Sequence, residues 1–575
     1  MRVWLSNFRP ETGALTITYF PVGLPKGHGE FDAANLFELG WRGLYGFDAS
    51  DMAMEQFLKE MKTMKNTEEQ IKFFSRVEFG TGNILLESVA GSGKTTSIVQ
   101  CLNYIDDTEP ILCCSFTKLA SLQLDKKIRA QDFTNVQSST LNSIGWSVCR
   151  QNVKGCQLDG NKTINILKYQ LQNRNLPGEW KKIYESLKGP LKRIVGLLKS
   201  YVVLPHFAYE EAKRLADYHG IDTPEGTSEE AKYAQKEFYN YVVSVYRHSI
   251  ECTQMMDFDD QKFFPVYFKW AMPKYRKIII DECQDCNVCD IEMVKLLQSG
   301  SPGSRTIWVG DRKQAIYLFR GSLLNAMDVI KDDFDCEYLT LSVCWRCADD
   351  ILIEAKQLNP LIKSPEPNPK GKGTVGHVTT PEFLDRVSIG DFVICRTTAP
   401  LVKRCLQLIR AGKPAKVKGR EIGKGLVNLI EKLAPDISMD LKEFLEKIGL
   451  YKTERVGILE AAGRDDAAIK IQDECEAIEH FCTDASNLAE VVNKISSLFT
   501  DDEDEKSYIL LLTGHKSKGL ENDRVWFLRP DLCPFPKASS EHEQEAENNL
   551  RYVILTRAAK ERWHVTPEKD EIRSN

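Results

Sequence analysis

No stretch of the 575 residues approaches the ~20 consecutive apolar positions of a membrane-spanning helix, which excludes that class. The N-terminal segment MRVWLSNFRPETG also lacks the continuous apolar centre of a secretory signal. A disulfide framework is not indicated either, because the 17 cysteines are odd in number and scattered through apolar segments. The expectation is a soluble, cytoplasmic protein with reduced thiols and no membrane partner. Excess positive charge is missing too: 76 Lys and Arg against 82 Asp and Glu give a net charge of -6, which at face value argues against nucleic acid held by bulk charge. Nine of those acids, however, lie in two segments without Lys or Arg, DDEDE at 501 to 505 and Glu541, Glu543, Glu545 and Glu547, and without them the balance becomes +3. A protein that grips one strand through a local surface therefore stays open.

What is present is ordinary globular material, 42% apolar and 27% charged, with chain enough for about four domains of ~150 residues. Residues 1 to 65 mix a β-like stretch, Leu15 to Phe20, with Gly/Pro-rich turns and a helical stretch whose Met54, Phe57, Leu58 and Met61 share a face. Short apolar runs follow: 84 to 89, 111 to 116, 277 to 281, 306 to 311, 391 to 395, 508 to 513 and 524 to 528. Separated by amphipathic helices, they predict an α/β protein with two parallel sheets. Residues 151 to 250 and 424 to 500 lack such runs and read as helical insertions.

After the first run comes Ala90-Gly91-Ser92-Gly93-Lys94-Thr95-Thr96 and then an apolar helix. Glycines let backbone N–H groups close around phosphates at a helix N-terminus, Lys94 suits the β- and γ-phosphates, and the Thr95 hydroxyl suits Mg2+. The strict pattern has glycine where Ser88 stands. A second run, KIII, leads into Asp281-Glu282. An acid at the end of a buried strand is costly unless it holds a cation, so Asp281 joins the Mg2+ shell and Glu282 polarises the attacking water. ATP and Mg2+ are thus the expected ligands.

The ordered segments resemble the UvrD/Rep type of superfamily 1 helicases over about residues 66 to 565. Thr67-Glu68-Glu69-Gln70 resembles the Q motif, Ala90 to Thr96 motif I, SFTKLA (115 to 120) motif Ia, and STLNSIG (139 to 145) motif Ib. DFDD (257 to 260) stands where the family has an acidic-aromatic segment, DECQD is motif II, and VGDRKQAIYLFRGS (309 to 322) is motif III. CWRC (344 to 347) takes the place of motif IV, FVICRT (392 to 397) and GREI (419 to 422) follow, and TGHKSKGLEND (513 to 523) and ENNLRYVILTRA (547 to 558) match motifs V and VI.

The resemblance implies two RecA-like domains. Domain 1A takes residues 66 to 150 and 251 to 322, with the helical 1B insertion at 151 to 250. Domain 2A takes 323 to 423 and 506 to 575, with a short 2B-like insertion at 424 to 505, and residues 1 to 65 form an extension without an assigned role. It also implies that Gln70 reads adenine, Gln314 senses the γ-phosphate, Arg346 and Arg557 act as arginine fingers, Trp345 stacks on adenine and Glu521 meets the ribose. The family usually has Asn-Tyr-Arg-Ser where this chain has Cys-Trp-Arg-Cys, and a basic residue where it has Thr96.

For nucleic acid, Phe116, Tyr317, Phe319 and Arg320 match the family's DNA-contacting positions, and His515 of motif V joins them. The implied activity is ATP-driven movement on single-stranded DNA, 3'-to-5', with unwinding at single-strand/duplex junctions. Two alternatives are a DNA-stimulated ATPase that remodels nucleoprotein within a repair, replication or defence assembly, and an RNA motor. Nine basic residues between 162 and 199 (Lys162, Lys168, Arg174, Lys181, Lys182, Lys188, Lys192, Arg193 and Lys199), interleaved with Trp180 and Tyr184, suggest a phosphate-contacting surface, with a solvated helix face as the alternative. Cys283, Cys286 and Cys289, and Cys344 with Cys347, repeat a two-residue spacing that also suits a metal site; a three-residue step equally gives one helix face.

Overall fold

The computed structural model describes residues 66–568 apart from 106–109, 173–187, 220, 222, 225–227, 318–320, 324, 437, 462–464, 502–506 and 537–540; ahead of them it describes three strands by backbone alone. Those strands, Arg2–Arg9, Ala14–Phe20 and Gly27–Asp32, form an antiparallel sheet that takes in the β-like stretch at 15 to 20. The helical stretch at 54 to 61 lies outside the described residues.

Two larger sheets organise the rest, and every strand pair in them is parallel. The first runs Glu337–Leu341, Ile84–Ser88, Arg305–Gly310, Lys277–Asp281, Ile111–Cys114, Val136–Ser139. The second runs Thr374–Val378, Ala558–Val565, Asn522–Leu528, Phe392–Cys395, Ile509–Thr513, Ala415–Lys418, Phe499–Thr500. All seven apolar runs of the sequence become strands in the interior of these sheets, where both faces are covered and continuous apolar sequence is required.

One expected boundary moves. Strand Glu337–Leu341 pairs in parallel with Ile84–Ser88, and Asn83 Nδ2 donates to the Phe334 carbonyl at 2.6 Å. The first sheet therefore extends to Leu341, beyond the break expected between 322 and 323.

Each helical insertion shares a core with its own sheet. Leu167, Leu191, Leu198 and Val242 of the first belong to one apolar cluster with Leu112, Ile278 and Trp308 of the first sheet. Phe444, Ile478, Phe481 and Val491 of the second join Val393, Leu511 and Trp526 of the second sheet. Burying each such side chain contributes about 1.5–3 kcal/mol, so neither insertion hangs as a separate body.

The basic surface expected at 162 to 199 is corrected in part. Lys162 and Lys199 are interior: Lys162 Nζ lies 2.7 Å from Asp260, and Lys199 Nζ lies 2.6 Å from Asp257 and 2.8 Å from Asp260. Buried ammonium groups persist only when paired in this way, and two of the three aspartates of DFDD, Asp257 and Asp260, supply the pairs. Arg174, Lys181, Lys182, Trp180 and Tyr184 lie outside the described residues; Lys168, Lys192 and Arg193 are exposed. No helix among the described residues is long and apolar enough to cross a membrane. Cys283, Cys286 and Cys289 are buried in the first core, and no metal-holding group of three or more His, Cys, Asp or Glu occurs among the described residues.

Candidate active site

Strand Ile84–Ser88, buried along its length, delivers the glycine-rich turn to the C-terminal edge of the first sheet. Gly91 and Gly93 hold φ of +69° and +84°. At Gly91 a Cβ would fall 2.5 Å from the Arg346 Cβ and 2.9 Å from the Cys344 sulfur, so only glycine lets the turn meet the second half of the molecule. Helix Lys94–Cys101 follows without a side-chain N-cap, and the buried Ser92 hydroxyl has no hydrogen-bond partner. Open N–H groups and an orphaned hydroxyl at a helix N-terminus fit a phosphate.

Strand Lys277–Asp281 ends beside this turn. Glu282 takes a left-handed backbone, φ +58°, uncommon for a residue with a side chain; its N–H donates to Asp281 Oδ1 at 3.0 Å and its carbonyl accepts from Asp285. Burial, and then the neighbouring Glu282 charge, push the Asp281 carboxyl up to about 7. Burial also opposes ionisation of Glu282, but Lys94 at 3.5 Å, together with Lys518 and Gln284, outweighs it and holds that carboxyl at about 2. A buried carboxylate short of positive charge beside a threonine hydroxyl is an oxygen donor set suited to Mg2+.

The second half supplies the cations. Arg346 Nε donates to Glu521 at 2.5 Å. Arg557 is fully buried, and its guanidinium reaches only neutral acceptors: the carbonyls of Val553 (2.8 Å) and Leu520 (2.9 Å) and the Thr556 hydroxyl. No carboxylate pairs with it among the described residues. Burial, and then Arg346, lower its pKa to about 9. Two crowded guanidiniums, one without a counterion, face the phosphate turn and fit an anion between them.

These groups converge on one cavity of about 510 Å3 between the sheets. Gly91, Ser92, Gly93, Lys94, Thr95 and Thr96 line it from one side with Asp281, Glu282 and Gln314; Trp345, Arg346, Glu521 and Arg557 line it from the other. Two expected residues do not reach it. Gln70 is spent in a capping box with Thr67 and donates to Ser97 at 3.3 Å behind the turn, and the Ala90 N–H donates to the Tyr552 hydroxyl at 3.0 Å.

Phe116 and Tyr317 also line the cavity and stack, with ring centres 6.0 Å apart and planes within 10°. Phe319 and Arg320 lie outside the described residues. His515 sits on the short helix Gly514–Ser517, away from the cavity lining. Sequence reasoning missed three residues. Lys518 donates to Asp285 at 2.5 Å and to the Gln314 carbonyl at 2.8 Å, and its ammonium lies 4.8 Å from the Tyr317 ring centre. Asp311 accepts from Gln314 at 2.6 Å. Phe258, 64% exposed, lines an adjoining 240 Å3 cavity with Phe116 and Asn142. An aromatic set among the acids of DFDD was the available signal for Phe258; Lys518 gave none, because a lysine in a loop reads as solvated.

Comparison with known proteins agrees with this arrangement. The UvrD/REP helicase N-terminal domain matches residues 67–335, and the UvrD-like helicase C-terminal domain matches residues 466–566. ATP-dependent DNA helicase Rep of Buchnera aphidicola is 26% identical over 301 residues, covering 49% of this chain and 43% of that protein. ATP-dependent DNA helicase PcrA of Staphylococcus aureus is 25% identical over 321 residues (51% and 40%), and that of Staphylococcus epidermidis is 23% identical over 318 (51% and 40%). The matched region spans less than half the length of these relatives. With two parallel-sheet halves, helical insertions and a P-loop cavity between them, the chain belongs to the UvrD/Rep-like superfamily 1 helicases.

Proposed function

We propose that this protein is an ATP-driven motor that moves 3'-to-5' on single-stranded DNA and separates strands at duplex junctions. The observation that carries this is the continuity of one cavity: phosphate-binding turn, acid pair and two arginines at one end, and the stacked Phe116 and Tyr317 at the other, with Lys518 touching both.

In this reading residues 66–150 and 251–341 form the first motor domain around the 151–250 insertion, and 342–423 and 506–575 form the second around 424–505. Lys94 holds the β- and γ-phosphates, and Gln314, anchored on Asp311, registers the γ-phosphate. Glu282, ionised and held by Lys94, orients the water. Thr95 and Asp281 would hold Mg2+, which when bound neutralises phosphate charge. Arg346 and Arg557 face the charge that develops on the transferred phosphoryl group. Trp345, 36% exposed at the cavity edge, and Glu521 suit the base and ribose. Gln70 acts on the turn from behind. Tyr317, Phe116 and Phe258 offer faces on which any base stacks for about 1–3 kcal/mol. Lys518 joins Asp285 and Gln314 to Tyr317, so a change at the phosphate is felt at the strand.

The test is ATP turnover and strand separation on 3'-tailed, 5'-tailed and RNA duplexes. Turnover stimulated by single-stranded DNA with unwinding of 3'-tailed duplexes is the expected result. Turnover that needs DNA but separates no strands replaces the helicase reading with nucleoprotein remodelling, and stimulation by RNA alone overturns the DNA assignment.

A further inference from the structure

The residue that the Q motif assigns to adenine is turned to another task. Gln70 is buried: its Oε1 accepts the Thr67 N–H at 2.9 Å, its own N–H donates to the Thr67 hydroxyl at 3.1 Å, and its Nε2 donates to the buried Ser97 hydroxyl at 3.3 Å. That Nε2 lies beneath the phosphate turn, 3.9 Å from where a Cβ on Gly93 would stand. The helix start that carries it is tied down as well, because the neighbouring Glu69 accepts from the Ser342 N–H and, at 2.7 Å, from the Ser342 hydroxyl. To face a base, the Gln70 amide has to open the capping box, give up the Ser97 bond and leave its buried place.

At the end of the cavity away from the phosphate turn, the fixed contact is a ring. Trp345 lines the cavity, and its N–H is anchored on the Gly91 carbonyl at 2.9 Å. The polar side chains that line this end with it are Thr96, Gln123, Lys127 and Glu521, and all four are exposed. Thr96 is short, Glu521 is engaged with Arg346 at 2.5 Å, and Gln123 and Lys127 stand one turn apart on helix Lys118–Arg129. Flexible, hydrated groups of this kind meet the edge of any base. A site built from buried, fixed hydrogen-bonding groups rejects the wrong partner by about 10⁴-fold or more, because a mismatch leaves those groups unpaired. A stacking face carries no such penalty, since every base has a π-face.

We propose that the cleft hydrolyses purine and pyrimidine nucleoside triphosphates alike, with Trp345 stacking whichever base arrives and selection resting on the triphosphate. The inference rests on the proposed motor ATPase and widens its substrate class. The bond that breaks is common to all of these substrates. Water adds its oxygen to the γ-phosphorus, the electrons of the bridging P–O bond leave with the nucleoside diphosphate, and inorganic phosphate and a proton are the other products. No atom of the base takes part, and Lys94, Glu282, Arg346 and Arg557 all belong to the phosphate end of the cavity. The greater overlap of a purine with the Trp345 ring leaves a preference over pyrimidines of about 10-fold at most.

The test supplies the full chain in turn with ATP, GTP, CTP and UTP, each with Mg2+ and single-stranded DNA, and measures kcat/KM for each. Values within about 10-fold of one another are expected, whereas a site that reads adenine by fixed hydrogen bonds spreads them over about 10³-fold or more. Trp345→Ala should raise KM by about 10-fold for all four, and Trp345→Phe, which keeps a stacking face, should restore most of that loss. Gln70→Glu preserves the capping box and can still accept from the Ser97 hydroxyl, so the four KM values should keep their ratios. A preference for ATP of about 100-fold or more, or one that Gln70→Glu erases, overturns the proposal. If no triphosphate is turned over, the motor reading fails instead, and competition of the four against a fluorescent analogue still decides whether the base is read: similar displacement by all supports base tolerance, and displacement by ATP alone overturns it.

Discussion

The two halves facing the cleft are built from opposite materials. The first sheet buries carboxylates: burial drives Asp281 to about 7 and Asp285 and Asp311 to about 6, and the cation that this sheet itself provides among them is Lys94. The second half holds cations, the buried Arg557 without a carboxylate partner among the described residues and the half-buried Arg346 beside it. The insertions repeat the contrast. The first is pinned by the buried Lys162, Lys199, Asp257 and Asp260, the second by apolar side chains such as Phe444, Phe481 and Val491. Between the halves lie a small apolar contact of Val89, Ala90 and Ile316 and a few hydrogen bonds, from Trp345 to Gly91, Ala90 to Tyr552, Lys518 to Asp285 and Asn549 to Ala315. In the proposed reading, two bodies of unlike cleft charge joined by a thin seam part and rejoin, and an anion with a metal between them completes both.

If the halves differ in this way, mutations on either side of the cleft should fail differently. Lys94→Ala is expected to lose both nucleotide binding and turnover, leaving only background hydrolysis, with circular dichroism and melting temperature unchanged. Arg557→Ala should lower kcat by about 10³-fold or more while nucleotide affinity shifts far less, because its cation meets charge that develops only during transfer. Binding measured with a fluorescent analogue, beside steady-state kinetics, separates the two; an equal loss of affinity in both would erase the contrast.

Much of the first half was legible in sequence because its chemistry sits on continuous apolar strands that end in the functional residues, as KIII does at Asp281-Glu282. The second half was legible only through the resemblance, since Arg346 and Arg557 follow no comparable signal of spacing. Strands such as Val136–Ser139 and Ala415–Lys418 escaped because strands near a sheet edge keep polar residues, and Ala558–Val565 because its Arg562 and His564 are buried against Glu354. Glu337–Leu341 was misassigned because pairing across 253 residues leaves no local trace. Gln70 matched its motif, yet its position as a helix cap depends on the same Thr67-x-x-Gln70 spacing that makes a capping box, and the sequence carries both meanings at once.

The insertions test the same contrast as stability. Lys199→Met removes the cation between Asp257 and Asp260 and is expected to cost about 3–5 kcal/mol, because two carboxylates stay buried with one ammonium fewer. Phe481→Ala in the second insertion should cost a similar ~3–5 kcal/mol through lost packing. Added salt should change the first penalty little, as buried pairs are poorly screened, so chemical denaturation at two ionic strengths gives parallel shifts. A Lys199→Met variant as stable as the wild type would mean that the first insertion, too, is held by its apolar core alone.

The smallest effect falls on the seam itself. The Tyr552 hydroxyl accepts from the Ala90 N–H at 3.0 Å across the halves and from the Asn359 side chain at 3.3 Å within its own half. Tyr552→Phe leaves both donors buried and unsatisfied, costing about 1–2 kcal/mol. Asn359→Leu removes only the partner on the same side. If the seam closes around nucleotide, the Tyr552→Phe penalty falls on the closed state, and KM for ATP should rise about 5- to 10-fold with kcat nearly intact, whereas Asn359→Leu lowers the melting temperature without moving KM. Equal stability losses with unchanged KM in both variants would show a seam that stays shut through the cycle, and the two halves would then act as one body.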